Sequence, residues 1–227
     1  MDIHVLVAEQ QHLPYAEEIC FVIEEAAKAR GTGIAKREPE YIRNKINEGK
    51  AVIALVNDQF AGFCYIETWG HDKYVANSGL IVSPNFRKLG LAKKIKRKAF
   101  ELSRQKYPNS KLFGITTSLA VMKINSGLGY KPVTFSELTT DETFWNGCQS
   151  CPNYDILTRN ERKLCLCTGM LYDPEKEEVK AVVIPEKKEN SLNERWERYK
   201  KHLRRRKANT LLQKIKQNLF SKDIDKV

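Results

Sequence analysis

No apolar run in this chain of 227 residues is long enough to cross a membrane. The longest, Ala51 to Val56, has six residues, against roughly 20 for a spanning helix. The opening residues Met1-Asp2-Ile3-His4 supply neither the basic segment nor the apolar core of a secretory signal. The expected location is therefore cytoplasmic, and there the six cysteines are expected as thiols or metal ligands, not as disulfides. No internal repeat is evident, which argues against a stacked-repeat architecture. Acidic residues are in deficit, with 28 Asp/Glu against 39 Lys/Arg and a net charge of +11. The deficit is local. Glu186 to Val227 holds fourteen Lys/Arg and six Asp/Glu, a net of +8, which leaves +3 for the first 185 residues.

What is present is an alternation of short strands and amphipathic helices. Ile3 to Ala8 alternates as a strand does, and Pro14 to Arg30 places Ile19, Val22, Ile23, Ala26 and Ala27 near one helical face before Gly31-Thr32-Gly33 ends it. Pro39 to Glu48 reads as a second helix, with Tyr41, Ile42 and Ile46 as its apolar contacts. Ala51 to Val56 and Phe60 to Trp69 form a hairpin around Asn57-Asp58. Val75 to Val82 is a strand, Leu91 to Lys106 a helix, Lys111 to Thr116 a strand and Ser118 to Asn125 a short helix. Gly129-Tyr130-Lys131-Pro132 leads out of that helix into a strand. Residues 139 to 163 are too long for a hairpin connection and predict short helical pieces at Phe144-Trp145-Asn146-Gly147 and at Pro152 to Arg159. Cys165 to Tyr172 reads as the last strand, and Glu175 to Ile184 as a further short one. From Ser191 the pattern is helical, with Leu192, Trp196, Tyr199 and Leu203 on one stripe and Leu211, Ile215 and Leu219 on another. The fold class is α+β, a mixed central sheet flanked by helices. Residues 1–172 form the main domain, 139–167 being a cysteine-containing insertion and last strand. Residues 173–227 form a basic, largely helical extension.

The segment Val82-Ser83-Pro84-Asn85-Phe86-Arg87-Lys88-Leu89-Gly90-Leu91-Ala92 joins a strand to a helix. A helix start has amide hydrogens without intrahelical acceptors and the positive end of the dipole. Gly90 and Ala92 leave the backbone approachable, and Arg87 and Lys88 add charge, so the turn suits a pyrophosphate. This segment resembles motif A of the GNAT superfamily, the acyl-CoA-dependent N-acyltransferases. There, Gln/Arg-x-x-Gly-x-Gly/Ala follows a strand and a Val-x-Pro turn. Met122 to Tyr130 resembles that family's motif B, with Gly129-Tyr130 as its exit. The element order matches the GNAT order across roughly residues 1 to 172.

The resemblance implies a GNAT fold and an acyl-CoA donor, acetyl-CoA or another acyl-CoA. The donor would be held by Leu80, Ile81, Val82, Arg87, Lys88, Leu89, Gly90, Leu91, Ala92, Ser118 and Asn125. There is one departure. Many members carry a tyrosine four residues before the motif B glycine, as general acid on the CoA thiolate. Asn125 stands there, and an amide has no titrating proton to give.

An amine acceptor must lose a proton, and the family often places its base on the central strands. Glu67 is the candidate base, or else an exposed strand carboxylate. Tyr65, two residues away on the same face, is placed to orient an acceptor, with Asn77 and Ser78 as alternatives on the next strand. Arg37 lies in the loop region from which the family builds its acceptor sites, and its fork suits a carboxylate; the alternative is a surface cation. The segment around it, with Cys148-x-x-Cys151-Pro152, bears a loose similarity to small N-acetylglutamate synthases, which implies an amino-acid acceptor such as glutamate.

Cys148-x-x-Cys151, thirteen residues, then Cys165-x-Cys167 offers four thiolates for one structural zinc, provided Cys165 and Cys167 share a strand face. The alternative is four reduced thiols packed as small apolar groups. Cys20 and Cys64 read as core residues.

Three functions follow from these readings. The first is N-acylation of a small-molecule amine. The second is acylation of protein or ribosomal targets docked through the basic tail. The third is a non-catalytic nucleic-acid-binding module using Lys200, Lys201, Arg204, Arg205, Arg206 and Lys207 on phosphates. The intact motif A favours an enzyme. The partners expected are a small-molecule amine and no membrane, with nucleic acid or ribosome, and a homodimer, left open.

Overall fold

The computed structural model describes residues 1–31, 36–176 and 199–201. The chain divides into two units, Met1–Glu178 and Val179–Val227. Of the second, residues 199–201 are helical, and the remaining expectations for the basic tail lie outside the described residues. So does most of the strand expected over Glu175 to Ile184, whose described start is helical.

The first unit is built on a seven-stranded sheet. Its strands are β1 (Ile3–Val7), β2 (Ala51–Val56), β3 (Gln59–Trp69), β4 (Tyr74–Val82), β5 (Lys111–Thr116), β6 (Lys131–Val133) and β7 (Thr168–Tyr172), in the spatial order β1-β2-β3-β4-β5-β7-β6. Only β4 and β5 run parallel; the other neighbours are antiparallel. The β2–β3 hairpin closes through Asn57 and Asp58, both at positive φ (48° and 61°), the geometry of the tight turn those residue types favour.

The helices are α1 (Ala16–Arg30), α2 (Pro39–Asn47), α3 (Leu91–Lys106), α4 (Leu119–Ser126), α5 (Glu142–Asn146) and α6 (Tyr154–Arg159). They cover both faces of the sheet, and the alternation within β2 shows how. Val52, Ala54 and Val56 point to the α3 side, where Leu91, Ile95, Ala99 and Leu102 form the helix's apolar stripe. Ala51, Ile53 and Leu55 point to the other side, against Ile19 and Ile23 of α1 and Ile42 and Ile46 of α2.

On that same second face, the half of the sheet made by β4, β5 and β7 is covered differently. Ala76, Phe113 and Leu171 pack under Phe135, Leu138, Trp145 and Leu157 from the 139–163 segment and its approach. The segment thus has a small core of its own. Asp141 caps α5 by accepting from the Thr143 amide (3.0 Å) and ties it to the β3–β4 turn by accepting from the Gly70 amide (3.2 Å). The Trp145 indole donates to the Thr139 carbonyl (2.8 Å).

Two irregularities open the middle of the sheet. The β3–β4 register shifts between Phe63 and Tyr65. Ladder pairing of β4 with β5 covers only Tyr74–Ala76 against Lys111–Phe113, so the two strands diverge from Asn77 and Gly114 onward. A wedge is left between adjacent parallel strands, with α3 beside it on one face and α1, α2 and the insertion on the other.

Candidate active site

One cavity of about 550 Å³ occupies this wedge. β4 lines it with Asn77, Ser78, Gly79 and Leu80, and β5 with Gly114, Ile115 and Thr116. From the sequence-derived candidates it gathers Arg37, Tyr65, Glu67, Leu80, Ser118, Asn125 and all four cysteines of the Cys148–Cys167 set. Ile81, Val82 and Arg87 to Ala92 do not line it; they form the approach along β4 and the start of α3.

At that start the local geometry is fixed by glycine. Gly90 caps α3 at φ 73°, following Lys88 at φ 69°. No side chain caps the helix and no acidic residue sits in its first turn. The Lys93 and Lys94 amides reach back to the Gly90 carbonyl (3.2 and 3.3 Å), while the amides of Leu91 and Ala92 precede the first intrahelical bond. A Cβ on Gly90 would meet nothing within 4 Å. The turn is therefore open, positive and unscreened, as a phosphate requires.

The opposite end of the cavity holds a polar cluster on the α1/α2 face. The Arg37 Nε donates to the Tyr65 hydroxyl (2.8 Å), and its guanidinium lies 5.2 Å from the centre of the Tyr41 ring. The Tyr41 hydroxyl donates to Glu67 Oε2 (2.7 Å), and Lys45 Nζ pairs with Glu67 Oε1 (2.9 Å). Tyr65 and Glu67 do share a face, as their spacing predicts. Burial drives the Tyr41 hydroxyl's pKa well up, with the Tyr65 ring and Glu67 adding to it, so Tyr41 stays a donor. Glu67 is not the exposed strand carboxylate of the alternative reading, since Tyr41 and Lys45 engage both of its oxygens. In sequence, Tyr41 reads as an apolar contact of the helix and Lys45 is not singled out. Their signal was the α2 spacing that brings i and i+4 to one face.

Several expectations are corrected. Asn77 does not face an acceptor: its Nδ2 donates to Ser103 (2.8 Å) and its Oδ1 accepts from the Tyr130 hydroxyl (2.8 Å), both on the α3 side. Cys165 and Cys167 are not on the last strand, because β7 begins at Thr168. The shared strand face that would have aligned them for zinc does not exist. Among the described residues no group of three or more His, Cys, Asp or Glu gathers to hold a metal. The thiols instead form one lining of the cavity. Burial pushes Cys148 up to about 11, with Cys151 and Cys165 adding, and Cys167 up to about 12, with Cys165, Cys151 and Cys148 adding.

Sequence reading also missed Lys96. It is 2% exposed, yet it lines the cavity from α3. Its signal was a lysine among the apolar stripe of Ile95, Ala99 and Leu102. Three buried side-chain atoms lack a hydrogen-bond partner among the described residues: Trp69 Nε1, Asn125 Oδ1 and Asn153 Nδ2. All three belong to residues lining this cavity. Orphaned buried polar atoms are costly, and their concentration here fits a site completed by a polar ligand.

Comparison with known proteins agrees with this geometry. Residues 22–120 match the model of the Acetyltransferase (GNAT) family. No curated protein sequence matches the chain. Among solved structures, the N-acetylglutamate synthase of Neisseria gonorrhoeae, complexed with coenzyme A and N-acetyl-glutamate, aligns at a TM-score of 0.54 and 17% identity. The alignment covers 76% of this chain and 35% of that one, so this chain spans about a third of the synthase. An acetyltransferase of the GNAT family from Staphylococcus aureus Mu50 aligns at 0.55 and 15% identity, covering 76% of this chain and 99% of that one. A chain of the NatC complex bound to Gag peptide and CoA aligns at 0.53 and 12% identity, covering 76% and 99%. Among the described residues, no helix is long and apolar enough to cross a membrane. The strand–glycine–helix turn and the β4–β5 wedge agree with the match of residues 22–120 to the Acetyltransferase (GNAT) family model, and the chain shares its fold with these acetyltransferase structures.

Proposed function

We propose that the chain transfers an acyl group from acyl-CoA to the amino group of a small, carboxylate-bearing amino acid such as glutamate. The observation that carries this reading is Arg37, held at the wall of the cavity by Tyr65 and Tyr41 with part of its fork unspent among the described residues. Nε is taken by Tyr65, and Nη1 donates to the Lys36 carbonyl (3.0 Å). The Nη1–Nη2 edge still offers paired donors to a carboxylate.

In this reading the residues divide the work. The α3 amides and Gly90 hold the pyrophosphate of the donor, which lies along Leu80, Ile81 and Val82 toward the wedge. Arg37 fixes the acceptor carboxylate, so that its amino group faces the thioester in near-attack geometry. Glu67 is the proton sink. Because both of its oxygens are engaged, the amine proton reaches it through Tyr41, which gives its own proton to Glu67 while accepting another. The loose similarity to N-acetylglutamate synthases supports the amino-acid acceptor.

Arg37→Ala should raise the acceptor KM about 10- to 100-fold and leave the donor KM nearly unchanged, the loss of one charge-assisted pair. Arg37→Lys should recover only part of it, since a point charge does not reproduce the fork. Steady-state kinetics at saturating donor decide this. An Arg37→Ala enzyme with the wild-type acceptor KM would remove the carboxylate role. Turnover confined to lysine-bearing peptides or protein N-termini would replace the small-molecule reading with the protein-directed one.

A further inference from the structure

Lys96 is a buried cation for which the acceptor chemistry above has no use. Its ammonium has one hydrogen bond among the described residues, a long one of 3.4 Å to the Asn77 carbonyl. No carboxylate pairs with it among those residues. It lies 5.6 Å from the centre of the Tyr130 ring. An ammonium has three donors, so two are unused. Burying a charge without a counter-charge is costly, which makes its place on the buried face of α3 informative.

That place is the vertex of the wedge. Asn77 is the first β4 residue beyond the ladder with β5, and its carbonyl is the atom Lys96 reaches. The contact is fixed by a chain of bonds. Tyr130 donates to Asn77 Oδ1, Asn77 Nδ2 donates to Ser103 (2.8 Å), and Ser103 donates to the Ala99 carbonyl (2.7 Å). Asn77 is thereby held with its carbonyl toward Lys96. Asn125, which lines the same cavity, has an Oδ1 without a hydrogen-bond partner among the described residues, and it stands where the family's tyrosine acid would be. Lys96 lies five residues beyond Leu91, about 7.5 Å along the helix from the pyrophosphate turn. A donor bound at that turn and running down the wedge brings its sulfur toward this vertex.

We infer that Lys96 is the acid that protonates the departing CoA thiolate, in place of the absent tyrosine. The inference rests on the acyl-transfer reading. The acceptor nitrogen forms its bond to the acyl carbon and loses a proton to Glu67 by way of Tyr41. The carbon–sulfur bond breaks, its electron pair stays on sulfur, and the Lys96 ammonium gives that sulfur a proton. The neutral amine is then recharged from solvent, which balances the proton taken by Glu67. Burial lowers the Lys96 pKa to about 8, with the Cys64 thiol on β3 opposing the shift. The other groups packed against it are the Tyr130 ring, whose hydroxyl burial holds protonated, and the Asn77 carbonyl, while the neutral amide of Asn125 lines the same cavity. An acid of that strength is charged at neutral pH and loses its proton as pH rises through about 8.

The test uses the full chain, Lys96→Met and Lys96→Arg. In the first measurement CoA alone is bound and its thiol is titrated by thiolate absorbance, which needs no turnover. The wild type should depress the bound thiol's pKa below that of free CoA, and Lys96→Met should return it. Equal titrations in the two proteins overturn the proposal whether or not an acceptor is known. In the second, kcat should fall about 100-fold or more in Lys96→Met, donor affinity should change little, and the basic limb near pH 8 should vanish. Lys96→Arg should recover little, because an arginine does not release its proton. The unfolding midpoint of Lys96→Met should rise, the opposite of what a structural lysine would give. Unchanged kcat overturns the assignment. So does a switch of donor preference from succinyl-CoA to acetyl-CoA, which would make Lys96 a reader of an acidic acyl tail. A wild type that releases no thiol with any amine, while still depressing the thiol pKa, would overturn the acceptor reading and leave the lysine assignment standing.

Discussion

Gly90→Glu will weaken CoA binding by about 100-fold while the fold survives. Two effects combine. The residue sits at φ 73°, where a side chain costs roughly 1–2 kcal/mol. The carboxylate also stands at a helix start otherwise free of acid, close to where a pyrophosphate must sit. Unit charges about 4 Å apart repel by about 4 kcal/mol at an effective dielectric of about 20, and less at an exposed turn. A Cβ there meets nothing within 4 Å, so packing is not disturbed. Gly90→Asn separates the two effects, because asparagine tolerates the left-handed region without bringing charge. It should lose less than about a tenth of what the Glu variant loses. Isothermal titration with CoA checks both. Equal affinities in wild type and Gly90→Glu would mean the donor is held elsewhere.

Gly79→Ala will destabilise the first unit by about 3 kcal/mol and disorganise the acceptor side of the cavity. Gly79 lies within β4 at φ 65°, opposite the shifted register, and an added Cβ would sit 2.5 Å from Tyr65 Cε1. Tyr65 is 1% exposed, packed edge-on against Tyr41 and bonded to Arg37, so it has no room to swing. Overpacking of this kind costs about 1–3 kcal/mol and the left-handed backbone about 1–2 more. For a chain of this size the unfolding midpoint should drop by about 6–12 °C. The acceptor KM should rise with it, because moving Tyr65 moves Arg37. Gly79→Ala combined with Tyr65→Leu should cost less than the sum of the two single changes, since the smaller side chain vacates the contact. Strict additivity would show that Gly79 serves only its backbone.

The buried lysine has a thermodynamic signature of its own. Its pKa falls from the usual 10.5 to about 8 on folding. Between those values the unfolded chain binds the extra proton, so its contribution to stability rises with pH across that window. Below pH 8 both states are charged and the full burial penalty remains. The shift corresponds to an order of about 3 kcal/mol at neutral pH, comparable to the cost of a poor core substitution.

The sequence carried the backbone plan well where pattern and punctuation agreed. Leu91 to Lys106 and Lys111 to Thr116 form with the predicted bounds, because an unbroken apolar stripe and a β-rich run each lie between clear turn residues. Ala16 replaces Pro14 as the start of α1 because Gln10–Tyr15 winds as a 3-10 turn containing Pro14. The last strand starts three residues late because Leu164 and Leu166 stay exposed and the β5–β7 ladder begins at Thr168. Period-two logic placed Tyr65 and Glu67 on the cavity face. Asn77 was misassigned because the β3–β4 register, not visible in the sequence, sets it opposite Ile66 and two residues from Val75, on the α3 face. Lys96 was invisible for a different reason. Charge on a helix reads as solvated surface until the packing shows that its neighbours at three and four residues' spacing are core.

Release of CoA thiol from acetyl-CoA by the purified chain, followed across a panel of amines, tests the central claim most directly. The account predicts release that depends on a free α-amino acid, glutamate foremost, and that collapses when the acceptor's carboxylates are amidated. No thiol release with any amine in the panel would contradict it.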